Sequence, residues 1–196
     1  TSSDYRAEYS YRNGKYEINL LEKGLISFAF APVNRLSSEY TVEVEGELVN
    51  SAGSYGIVFN YLDTYNYYSF EIDPDYKAYR LDRKRNGDWK KVIPWTSSNH
   101  IVSDINELKL VQQNNHVSIY VNGNYLTTKT VVEYFEGVKA ALSVSSYSDS
   151  ITPVTAQFDN FSLSGYAVSN SYINSNQEVS KNNFGIHMER REKYLE

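Results

Sequence analysis

From Tyr40 onward the chain alternates apolar and polar residues with a period of two. Over residues 40–49, Val42, Val44 and Leu48 alternate with Glu43, Glu45 and Glu47, so a strand there has an apolar face and a carboxylate face. The period recurs over residues 55–61, where Ile57 and Phe59 oppose Val58 and Asn60, and over 68–73, where Tyr68, Phe70 and Ile72 oppose Ser69 and Glu71. It returns over 79–83, and residues 140–146 and 157–163 predict two further strands. Asn86-Gly87 and Asn122-Gly123 each separate two such runs. Asn-Gly tolerates positive φ at both central positions of a type I′ turn, so both predict hairpins. Residues 112–116, with Asn114-Asn115, predict a third turn between Leu108/Leu110 and Val117/Ile119/Val121. No 3.6-residue apolar stripe is sustained before Tyr166. Many short antiparallel strands without helices imply an all-β fold of two packed sheets. Its predicted core is Val42, Val44, Ile57, Phe59, Phe70, Ile72, Leu110, Ile119, Val121, Phe158 and Phe161.

Composition agrees with this pattern. The 19 tyrosines suit half-buried pleated surfaces, and 41% hydrophobic with 22% charged residues excludes a disordered chain. A chain of 196 residues buries roughly 70% of its unfolded surface, enough for a core without staples. No cysteine is present, which excludes disulfides, thiolate metal sites and thiol nucleophiles. The longest apolar stretch, residues 25–33, falls far short of the ~20 residues of a spanning helix. The first residues lack the charged start and apolar run of a signal peptide.

Composition changes at Tyr166. Residues 1–166 read as the sandwich, and residues 167–196 as a Ser/Asn-rich linker with a charged end. A short helix over residues 188–195 is expected, with Glu189 and Lys193 paired at i and i+4. The tail is too polar to add a strand to the core, yet its scattered apolar groups suit docking on another copy, so self-association is expected.

Several chemistries are absent or weakly signalled. His100, His116 and His187 have no second ligand at metal spacing, and neither a Gly-x-Ser-x-Gly elbow nor a phosphate loop occurs. Lys77, Arg80, Arg83, Lys84, Arg85, Lys90 and Lys91 form a basic run around Trp89. With a net charge of -5 and two Asp inside that run, it reads as a solvated hairpin rather than a nucleic-acid surface.

Five segments in order carry a resemblance: residues 55–59 (YGIVF), 66–72 (NYYSFEI), 79–81 (YRL) with Trp89, 117–123 (VSIYVNG) and 158–161 (FDNF). Together they resemble the concanavalin A-like (laminin-G-like) jelly-roll superfamily, and more narrowly bacterial extracellular jelly-roll modules. The resemblance implies two antiparallel sheets, a concave face that often holds saccharides, sometimes a structural calcium ion, and an extracellular or cell-surface location. Asp159 is the candidate calcium ligand.

On that concave sheet the expected ligand-facing set is Glu45, Asn60, Tyr67, Glu71 and Arg80. Trp89 and Trp95, with Tyr65, are flat rings beside turns that suit stacking on sugar. The expected function is a non-catalytic carbohydrate-binding or adhesion module. A second reading is a retaining glycoside hydrolase using Glu43, Glu45 and Glu47, whose neighbouring Cα atoms stand ~6.6 Å apart on one face. That strand is similar to the Glu-x-Asp-x-Glu pattern of family 16 glycoside hydrolases, with Glu45 in place of Asp and without the flanking Trp. A protein-interaction or structural module is the third.

Overall fold

The computed structural model describes residues 2–4, 6–32, 36–50, 52–131, 138–165 and 185–190. The strands run β1 (Ser2–Asp4), β2 (Ala7–Arg12), β3 (Lys15–Leu20), β4 (Leu25–Phe30), β5 (Glu39–Asn50), β6 (Gly53–Asp63), β7 (Asn66–Asp73) and β8 (Ala78–Arg85). There follow β9 (Asp88–Ser97), β10 (Asn106–Gln113), β11 (His116–Val121), β12 (Asn124–Thr130), β13 (Lys139–Ser146), β14 (Val154–Gly165) and β15 (Gly185–Arg190). The first sheet has the order β1-β2-β3-β14-β5-β10-β11-β12 and the second β15-β4-β13-β6-β7-β8-β9. Every pairing is antiparallel.

Between the sheets lies one core, holding ten of the eleven expected residues buried and Phe161 partly buried against them. Both Asn-Gly turns adopt positive φ at both positions (49° and 90°, 51° and 72°), as the type I′ geometry requires. Asn13-Gly14 closes a further hairpin, β2–β3, in the same way.

At the C-terminus the structure corrects the expectation. Residues 185–190 form β15, paired antiparallel along β4 from Gly185↔Phe30 to Arg190↔Leu25, and not the start of a helix. An eight-residue helix is marginal in water, whereas the edge of β4 offers unpaired N–H and C=O groups. The tail therefore does add a strand. Residues 167–184 and 191–196, with the expected self-association, lie outside the described residues.

The two sheets differ on their outer faces. In the first sheet, outward side chains of β5 such as Glu43, Glu45 and Glu47 are half-exposed, the usual pattern for an antiparallel sheet with one wet face. In the second sheet β13, β6 and β7 are buried on both faces almost throughout. The described strands all belong to these two sheets, so none forms a third layer there.

Candidate functional site

Strand register sets out the outer face of the second sheet as rows. One row runs Phe28, Ser143, Gly56, Glu71, Arg80 across β4, β13, β6, β7 and β8. The next runs Phe30, Ala141, Val58, Ser69, Asp82, Lys91. The face thus divides into an aromatic half and a polar half. In the aromatic half Tyr67 meets Phe28 edge-on at 5.2 Å and Trp89 at 5.5 Å, and the Lys84 ammonium lies 5.4 Å from the Trp89 ring.

The polar half is buried like a core. Ser54, Ser69, Glu71, Ser143 and Ser145 have no exposed surface, and Arg80 and Asp82 retain 4% and 7%. Glu71 is the centre. Its Oε2 accepts hydrogen bonds from Ser54 Oγ (2.7 Å) and Arg80 Nη2 (2.8 Å), and its Oε1 accepts one from Ser69 Oγ (2.8 Å). Arg80 lies 4.6 Å from the Trp95 ring, itself 38% exposed, and its Nε stands 3.4 Å from an Asp82 oxygen without a hydrogen bond. The hydroxyls of Ser143 and Ser145 are also buried without partners.

Burial raises the Asp82 carboxyl to about 6; Arg80 and Lys91 oppose the rise, and Glu71 adds to it. Burial raises Asp73 as well, against the hydrogen bond from Tyr147 Oη (2.5 Å). A carboxyl held above its unfolded value takes up a proton on folding, so native stability falls as pH rises from about 4 through 6. For Asp82 the difference approaches about 3 kcal/mol. Asp82→Asn is therefore expected to be more stable than the parent at pH 7.5 and equal to it near pH 3.5, in urea unfolding at both values. Equal stabilities at pH 7.5 would show that Asp82 is not held against its charge.

The structure separates the expected ligand set. Tyr67, Glu71, Arg80, Trp89 and Trp95 share the second sheet, whereas Glu45 belongs to the first. Asn60 points the other way from the expectation. A bulge between Phe59 and Asp63, with Asn60 at φ 48°, reverses the alternation, and Asn60 Oδ1 accepts from Tyr40 Oη (2.9 Å) between the sheets. Tyr65 is exposed in the β6–β7 turn, and His100 and His116 are exposed. Ser54, Asp82, Ser143 and Ser145 join the face unforeseen; alternation from Phe70 and Leu81 places Asp82 outward, but its burial has no sequence signal.

The three glutamates on β5 are engaged outside this face. Glu43 bonds Lys109 Nζ (2.5 Å), Glu47 bonds Lys15 Nζ, and Glu45 accepts from Asn160 Nδ2 (2.9 Å). Asp159 Oδ1 accepts from the Asn160 amide, and no cluster of three metal-ligating side chains occurs among the described residues.

No family model and no curated protein sequence matches the chain. Solved structures do match in shape. The carbohydrate-binding module CBM66 from Bacillus subtilis superposes with a TM-score of 0.53 at 15% identity, over 80% of this chain and 91% of that one. The GH43 protein BlXynB from Bacillus licheniformis gives 0.56 at 15% identity, over 79% of this chain and 34% of its own. A homodimeric agglutinin from chicken liver, CG-16, gives 0.52 at 12% identity, over 70% and 99%. The chain shares with these proteins a sandwich of two antiparallel sheets, of the jelly-roll kind.

Proposed function

We propose that the protein is a non-catalytic carbohydrate-binding or adhesion module, acting outside the cell or at its surface, that holds a saccharide on the outer face of the second sheet. One observation carries this reading. Charged and hydroxylated side chains are buried on a face where the sandwich has no need of them, beside a part-exposed tryptophan. Buried charge costs stability unless paired, and convergent polar groups flanked by aromatic rings are the ordinary make-up of a saccharide site. The sandwich is also shared with a carbohydrate-binding module and an agglutinin. Catalysis by β5 is the weaker reading, because Glu43 and Glu47 are both tied to lysines on an open face.

Affinity electrophoresis against neutral and acidic polysaccharides tests the reading; a blank panel with the fold intact would favour a protein-interaction or structural module. Glu43→Gln and Glu47→Gln should bind as the parent does, with stability within about 1 kcal/mol of it. No reducing sugar should be released from a β-glucan. Release that either substitution abolishes would establish the hydrolase reading.

A further inference from the structure

We propose, on the basis of the carbohydrate-binding reading above, that Asp82 is the group that takes the ligand, and that the ligand is a neutral saccharide with vicinal hydroxyls rather than an acidic one. Among the polar groups of this face, Glu71 is occupied: three donors converge on its two oxygens. Arg80 is occupied as well, with Nη2 on Glu71 and the guanidinium beside Trp95. With 4% of its surface exposed, the guanidinium offers a ligand carboxylate no open edge for the bidentate grip such a group takes.

Asp82 differs from both. Among the described residues neither of its oxygens accepts a hydrogen bond, and its side chain keeps 10% of its surface exposed. An ionised carboxylate is an acceptor only, so its complement is a pair of O–H donors, and adjacent sugar hydroxyls supply one. Arg80 Nε, buried 3.4 Å away, sets a positive charge against Asp82 and favours its ionised, hydroxyl-accepting form. Charge decides between neutral and acidic saccharides. Over the face as a whole Glu71, Asp73 and Asp82 are balanced by Arg80, Lys84 and Lys91, but a ligand carboxylate seated against Asp82 would meet like charge at close range, which disfavours it.

Glu71 on β7, Arg80 on β8 and Lys91 on β9 surround Asp82. Because its carboxyl titrates near 6, binding that uses the ionised form should weaken as pH falls below that value.

Laminarin and galactomannan serve as neutral probes and polygalacturonate and alginate as acidic ones, in affinity electrophoresis at pH 7.5 followed by titration calorimetry. The expected result is retardation by a neutral probe, weakened at least ten-fold in Asp82→Asn and unchanged in Glu43→Gln. Asp82→Asn should unfold at or above the parent's temperature, which separates lost contact from lost fold; Asp82→Ser is the second variant should the first misfold. Preference for an acidic probe, or undiminished binding by folded Asp82 variants, overturns this inference and leaves the carbohydrate reading standing. No retardation by any probe overturns the carbohydrate reading and this inference with it.

Discussion

Gly56→Ala is expected to abolish the cooperative native state. A Cβ built at Gly56 would stand 1.9 Å from the Phe70 carbonyl oxygen and 2.8 Å from Glu71 Cα. Both are backbone atoms of the neighbouring strand, so no rotamer change relieves the overlap, and β6 and β7 would have to part at the centre of the second sheet. Packed interiors tolerate little added volume even where side chains can move. The expected loss is about 4 kcal/mol or more, read by circular dichroism in a urea titration. A variant within about 1 kcal/mol of the parent would show that the two strands do not approach this closely.

Glu71→Ala is expected to destabilise nearly as much, for an electrostatic reason. Removing the carboxylate strands the Arg80 guanidinium, 4% exposed, and withdraws the acceptor from the hydroxyls of Ser54 and Ser69. Breaking one side of a buried pair costs about 3–5 kcal/mol, because the remaining charge is left desolvated. Glu71→Gln retains an oxygen and should recover part of the loss. Thermal unfolding at pH 7.5 measures both. A loss under about 1 kcal/mol in Glu71→Ala would mean that Asp82, already 3.4 Å from Arg80 Nε, takes over as counterion.

Much of the sandwich was legible because strands with one buried face announce themselves by alternation. Val42, Val44, Phe70 and Ile72 point inward as their period demands. Asn122-Gly123 fixes its hairpin by backbone chemistry alone, and Asn13-Gly14 carried the same signal ahead of the region where the alternation was read. Asn60 shows where this logic breaks. A single residue at φ 48° shifts the period by one, and Asn in the left-handed region is the only local sign of it.

The site was half legible. Outward placement of Tyr67, Glu71 and Arg80 follows from alternation, but a serine at an outward position looks the same whether water or protein covers it. Ser54, Ser69, Ser143 and Ser145 therefore read as solvated polar positions. Alternation alone puts Glu45 on the same face as Arg80, because the pattern within a strand does not reveal which sheet the strand joins. β5 and β8 lie in opposite sheets. In the tail, the pairing of residues 185–190 with β4 depends on an edge more than 150 residues earlier in the sequence, which no local pattern encodes.

The most direct test of the binding face uses its own reporter. The chain has two tryptophans, so Trp89→Phe leaves Trp95, beside Arg80, as the single indole fluorophore. Titrating this variant with the best-retarding polysaccharide at pH 7.5 should give a saturable change in Trp95 emission, at the affinity the same variant shows in electrophoresis, and adding Asp82→Asn should weaken it at least ten-fold. Undiminished binding with no change in Trp95 emission would place the saccharide elsewhere and contradict the account.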